Sequence, residues 1–186
     1  MGARLAAHPD IARVSGVVMG VLTNVGDAPF FILFGYHPQE AAIAHFKLVD
    51  GSPLSANLQA LVGIKAAEML GSAVGDTVRL GDSAYRVVGI FETGTGYEEM
   101  GAVLTRRDAQ VAAGKPRQVS LYSIELNDPG KANEVRDWLN ENVSEIDVSV
   151  TAEFAENLPD MESAAAMMGG LAFLSSWTGR NPRVQF

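Results

Sequence analysis

Cysteine is missing from all 186 residues, and its absence closes several chemistries at once. Thiolate zinc sites, iron–sulfur clusters, thiol nucleophiles and disulfide frameworks all require it. The compartment stays open, because an extracytoplasmic domain with an adequate core needs no disulfide. Positive charge is also scarce. Fourteen Lys and Arg stand against 22 Asp and Glu, a net charge of −8, and Arg106-Arg107 is the only adjacent basic pair. Nucleic acid is therefore no expected partner, since phosphate binding needs a basic stripe. We read that pair as a solvated helix start. The three histidines, His8, His37 and His45, share no metal-ligand spacing and read as surface or loop residues. Long apolar runs are lacking too. Ala164–Leu174 carries no charge but falls short of the roughly 20 residues a bilayer span needs. Met1-Gly-Ala-Arg-Leu5 has no apolar signal-peptide core.

What is present is a hydrophobic fraction of 47%, enough for a real core. Leu5–Val14 reads as a short helix broken at His8-Pro9-Asp10, with Asp10 as a cap for its second piece. Ser15–Val25 reads as a strand, Gly26–Pro29 as a turn, and Phe30–Phe34 as a strand covered on both faces. A helix is expected from Gln39 to about Leu48, and Asp50-Gly-Ser-Pro53 is the candidate hinge. Ala60–Gly63 should run as a strand into a helix at Ile64–Leu70. A hairpin then joins Thr77–Leu80 to Tyr85–Phe91, with Val78, Leu80, Tyr85, Val87 and Gly89 alternating against Val88 and Ile90. Glu92–Met100 reads as a glycine-containing acidic loop, Ala102–Thr105 as a strand, and Arg106–Ala113 as a helix. Gly114-Lys-Pro116 is the second punctuation.

The last third repeats a strand–helix–strand rhythm. Ser120–Leu126 is extended, and Asp128 caps a helix with Pro129 at its first position. That helix, Lys131–Val143, carries Ala132, Val135, Trp138, Leu139 and Val143 in one stripe at helical spacing. A strand follows at Ile146–Val150, then a helix at Glu153–Leu174 that loses every charge after Glu162. Its end would expose Ala164, Met167, Met168, Leu171 and Phe173 as a membrane-proximal patch. The segment Ser175–Phe186 shows no helical pattern and reads as a loose tail.

Catalytic leads are outweighed by plainer readings. Gly81-Asp-Ser-Ala84 superficially resembles a lipase nucleophile block, but it sits on a hairpin tip rather than a strand-to-helix elbow. Gly94-Thr-Gly96 is too short for a dinucleotide loop, and Glu98 and Glu99 after it would repel phosphate. Adjacent residues such as these two usually diverge, so they make a poor acid–base pair. We expect no catalytic residue, cofactor or metal, and hence no enzyme.

The order of blocks resembles the MacB-type, FtsX-like ABC transporter permeases. Pro9–Val18 is similar to the proline and valine-rich strand after their first membrane helix, and Gly35-Tyr-His-Pro38 to their turn after the second strand. More specific is Leu61–Gly71 with Val74-Gly-Asp76 and the hairpin to Val88-Gly-Ile-Phe91, followed by Glu92–Tyr97. Similarity runs from about Ala3 to Met168. The resemblance implies an α+β fold: a mixed βα porter-like sheet layer from both chain ends, with a smaller, mostly β insertion. On this chain that means 1–49 with 117–163, an insertion at 50–116, and a membrane-proximal helix start and tail at 164–186. It implies an extracytoplasmic, non-catalytic domain of a plasma-membrane permease, working with its own membrane helices, a cytosolic ATPase and possible contact with a second permease copy. Gly94, Thr95, Gly96 and Tyr97 form the candidate partner-facing loop. The alternative is a soluble two-lobed domain that binds a small molecule, hinged at Gly51 and Gly114.

Overall fold

Strand β1 (Ile11–Leu22) is the longest among the described residues and pairs differently along its length. The computed structural model describes residues 2–23, 25–26, 31–143, 147–149 and 183–185. The chain divides into two compact units, Met1–Val17 with Val119–Phe186, and Val18–Gln118. The expected boundary at Asp50 does not coincide with this division, and the reason is local. Residues Lys47–Gly51 are strand β3, paired antiparallel with β6 (Ser83–Glu92), so the expected hinge is part of a ladder. The lobes of the small-molecule reading lose one of their two pivots thereby.

In the first unit, helix α1 (Gly2–Leu5) is one turn long. The second helical piece expected up to Val14 is instead the start of β1, where Ile11 and Val14 lie opposite Leu126 and Ile124 of β8 (Leu121–Leu126). β-Branched residues offered a partner strand extend rather than coil. Asp10 caps nothing; its carboxylate accepts from Lys131 Nζ at 2.8 Å. The strand at 120–126 thus lies beside the strand beginning near Ser15, as the sequence led us to expect. Asp128 does cap, accepting from Gly130 N at 2.9 Å, and Pro129 opens the tight turn that leads into α5 (Ala132–Asn142). Val135, Leu139 and Val143 of the stripe pack with Leu5, Ile11 and Ile124, while Trp138 lies half-buried at their margin. The imidazole of His8, buried rather than on the surface, meets the Trp138 ring edge-on at 4.7 Å. Strand β9 (Asp147–Ser149) realises part of the expected 146–150 strand. The tail is not loose throughout. Arg183–Gln185 forms β10, parallel to both β8 and β9. A strand needs only a neighbour with unpaired backbone groups, and that need leaves no helical pattern to read. The helix expected at 153–174, with the patch of Ala164, Met167, Met168, Leu171 and Phe173, lies outside the described residues.

In the second unit the spatial order of strands is β3, β6, β4, β7, β2, with β5 (Thr77–Leu80) also on β6 and the end of β1 on β2. Here β2 is Phe31–Tyr36, β4 is Gln59–Gly63 and β7 is Gly101–Thr105. Pairing is mixed: β2 with β7 and β4 with β6 run parallel, β4 with β7 antiparallel. Both faces are covered, which is why these strands read as continuous apolar runs. One face packs Phe31, Leu33, Val62, Tyr85, Val87 and Leu104 with helices α2 (Ile64–Leu70) and α4 (Arg106–Ala112). Gly35 admits α4, since a Cβ there would stand 2.5 Å from that of Ala109. The other face packs Phe34, Phe46, Leu54, Leu61, Phe91 and Val103. The helix expected over 39–48 is a 3-10 turn at Ala41–His45 that delivers Phe46 to this second face, then β3. One alternation is corrected by a bulge. The β4–β6 register skips Val88, so Ile90 joins Tyr85 and Val87, while Val88 and Phe91 face the other core.

Candidate functional site

The turn leaving β6 is where the structure departs most from an acidic, solvated loop. After Gly94, at φ 78°, the chain winds into α3 (Gly96–Glu99). Glu98 N and Glu99 N both donate to Thr95 O at 3.1 Å. Both carboxylates are buried, with residue exposures of 8% and 6%. Gly63 makes this possible at the β4–α2 junction. A Cβ there would lie 2.3 Å from Glu99 O and 2.6 Å from Glu99 Cα, so any side chain would lift the turn away.

A buried carboxylate needs compensating donors, and the two acids find different ones. Glu99 Oε1 accepts from Thr93 N at 3.1 Å and Gly94 N at 2.8 Å, and Oε2 lies 3.2 Å from Lys65 Nζ. These donors, the Thr93 N–H foremost, hold the Glu99 carboxyl below the usual range although burial pushes it up. Glu98 Oε2 lies 2.9 Å from His45 Nε2, and Oε1 accepts from Tyr97 OH at 3.4 Å. The hydrogen bond to Glu98 raises the His45 imidazole above its usual value. Desolvation and the Lys47 charge oppose that rise, and the charge of Glu98 adds to it. Tyr36 on β2 is pushed far above the ordinary phenol range, by burial first and then by Glu98 and Glu40. Glu40 in turn accepts from His37 N at 2.9 Å and pairs with Arg106, so Arg106 is an ion-pair member and not simply a solvated helix start.

Gly94–Tyr97, the residues expected to face a partner, lie together where the chain turns from β6 into α3. Gly94 is exposed, Thr95, Gly96 and Tyr97 are half-buried, and Tyr97 packs against the second core of its unit. The adjacent acids do diverge, as adjacency requires, but into two buried sockets rather than into water.

A second pinned loop lies at Asn57–Leu58. Leu58 has φ 60° and is 57% exposed, and its N–H donates to buried Asp108 Oδ2 at 2.7 Å. Thr105 Oγ1 accepts from Asp108 N at 3.2 Å and donates to Asn57 Oδ1 at 2.8 Å. The sequence reading missed Asp108, although a threonine followed three residues on by an acid is a legible helix-start signal. It also missed His45, Lys65 and the burial of both glutamates, for which the sequence carries no periodic signal. Gly81-Asp82 is the tip of the β5–β6 hairpin, with Leu80 opposite Ser83. Among the described residues no three His, Asp or Glu side chains converge to hold a metal, and no helix is long and apolar enough to cross a membrane.

The sequence profile of the MacB-like periplasmic core domain matches residues 2–142. No curated protein matches at significant sequence similarity. Among solved structures, the periplasmic region of MacB from Actinobacillus actinomycetemcomitans superposes with a TM-score of 0.52 at 15% identity, over 75% of this chain and 71% of that one. The extracellular domain of the noncanonic ABC-type transporter YknZ from Gram-positive bacteria gives 0.58 at 15% identity, over 75% and 80%. At that identity the two structures speak for the fold.

Proposed function

This chain belongs to the MacB-like periplasmic core domain family, and from that premise we propose that it is a non-catalytic relay within an ABC transporter permease. Membership puts it on the extracytoplasmic side of the membrane, in a family of transporters that work with a cytosolic ATPase. The proposal is that ATP hydrolysis by that separate partner reaches this domain as movement. The domain then passes the movement to an extracytoplasmic substrate or partner. The observation that carries the reading is the profile match over residues 2–142.

Two structural features support it. Residues from both ends of the chain, 1–17 and 119–186, belong to one compact unit, so displacement of either flank would enter the same body. The second unit buries apolar side chains on both faces of its sheet, which suits a rigid transmitter rather than a deformable pocket. We assign the partner-facing role to Gly94–Tyr97, because the two glutamate sockets hold this short loop firmly while leaving Gly94 exposed.

These 186 residues hold no cysteine, so thiols introduced here are the only ones within this domain. Spin labels at exposed Asp82 and in a flanking membrane helix of the intact transporter, assembled with its ATPase, should report a distance distribution that shifts between nucleotide-free and ATP-trapped states. An unchanged distribution in a transporter that still hydrolyses ATP would end the relay reading.

A further inference from the structure

Two neighbouring carboxylates are buried by the same one-turn helix, yet only one is matched by a permanent cation. Glu99 has Lys65 and two backbone N–H groups. Glu98 has the His45 imidazole and the Tyr97 hydroxyl. His45 ends the 3-10 turn Ala41–His45, and its own side chain is 54% exposed, so its proton exchanges freely with solvent. The next residue, Phe46, is locked into the second core by edge contacts with Tyr36 at 5.5 Å and Phe91 at 4.9 Å. The pair therefore ties a solvent-reachable titrating group to a buried acid, across two segments 53 residues apart in sequence.

We propose that His45 and Glu98 form a proton-operated clasp, which fixes the Gly94–Tyr97 loop when His45 is charged and loosens it when His45 is neutral. The chemistry is that of a charge-assisted hydrogen bond, which is roughly twice as strong as its neutral counterpart. With the imidazolium in place, Nε2–H donates to Oε2 and the buried carboxylate is neutralised. When that proton leaves, the Glu98 side chain, 10% exposed, keeps only neutral donors.

Other ionisable and charged groups face the pair. They are Lys47 on β3, Tyr36 and Glu40 at the end of β2 and in the loop after it, Tyr97 on α3, and Arg106, engaged by Glu40. Histidine alone among these side-chain types changes charge between about pH 5 and 8. The raised His45 value sets the sign. The clasp is complete below the ordinary histidine value of 6.5 and is lost as pH climbs through the higher folded value. An extracytoplasmic domain meets the pH of its surroundings without cytosolic buffering, which gives such a clasp something to sense. The clasp itself rests on side chains alone, and it stands or falls independently of the relay.

The test is residue-resolved amide exchange of the full chain by NMR between about pH 5.5 and about pH 8.5, corrected for intrinsic exchange. Protection of the Glu98 and Met100 amides, bonded to Thr95 O and Gly96 O, should fall about five- to tenfold as pH rises. The Thr93 and Gly94 amides, held by Glu99, should keep theirs. His45→Gln should flatten the profile, and Glu98→Gln should bring the His45 titration back toward 6.5. A flat wild-type profile overturns the proposal. So does an unchanged profile in His45→Gln, equal loosening of all four amides, or a His45 titration indifferent to Glu98→Gln. Should Glu98→Gln fail to fold, the His45→Gln profile decides alone.

Discussion

Among the described residues, the two compact units bury apolar surface by different means. The Val18–Gln118 unit covers both faces of its sheet, with Phe31, Leu33 and Val87 on one side and Phe34, Phe91 and Val103 on the other. In the described part of the Met1–Val17 and Val119–Phe186 unit, α5 rests on β1 and β8 through a smaller cluster around Leu5, Ile124 and Leu139. The doubly covered sheet is specified by apolar runs and by glycines that let other backbone approach. The described residues of the other unit are specified by a helical stripe and a cap. The contrast teaches where each is vulnerable: the Val18–Gln118 unit to side-chain truncation on either face, the other to loss of a few helix residues.

Truncation tests that contrast, beginning with its largest expected effect. Phe91→Ala removes a fully buried ring from the second face and should destabilise the Val18–Gln118 unit by about 3–5 kcal/mol in denaturant unfolding. A loss near zero would mean that face is not a core. In the other unit, Leu139→Ala should cost about 2–4 kcal/mol. Trp138→Ala should cost less, about 1–2 kcal/mol, because the larger ring is only half-buried. The opposite ranking would show that α5 is rotated from the face described.

The glutamate sockets sharpen the comparison at the level of single groups. Glu99→Gln should cost about 1–3 kcal/mol near neutral pH, measured by chemical denaturation. Because the Glu99 carboxyl is held below its ordinary value of 4.5, its contribution is present above that value and lost as pH falls through the folded one. The variant and wild type should therefore converge in acid, and a constant gap would contradict the socket. The smallest effect is expected at Leu58. Its exposed side chain sits at φ 60°, so Leu58→Gly should leave stability unchanged or raise it by about 0.5 kcal/mol.

Much of the architecture was legible in advance. The β4–α2 junction at Gly63/Ile64, the β5–β6 hairpin, and Asp128-Pro129 leading into α5 all followed from local signals: apolar period, turn chemistry and capping. The segments misread share one property. Ile11–Val14, Lys47–Gly51 and Arg183–Gln185 are strands whose partners, β8, β6, and β8 with β9, lie far along the chain. A five-residue stretch such as Lys-Leu-Val-Asp-Gly has no preference strong enough to announce that pairing. The α5 stripe needed no distant information, because i, i+3 and i+4 positions define a helix face by themselves.

The candidate loop shows the same division more finely. Sequence placed Gly94, Thr95, Gly96 and Tyr97 together in a turn after a buried strand, and it noted two acids beside them. It did not indicate that those acids would be buried, or that His45 and Lys65 would meet them.

By itself, then, the chain determined its elements wherever periodicity and capping are local. It also determined its family resemblance, and the exclusion of thiol chemistry by the lack of cysteine. Only the tertiary structure decided which strands sit side by side, where the bulge at Val88 reverses a face, and which buried acid receives a permanent cation and which a titrating one. The physical reason is range. Backbone preference and side-chain period act over a few residues, whereas desolvation, cross-strand pairing and charge compensation act between residues that only folding brings within reach.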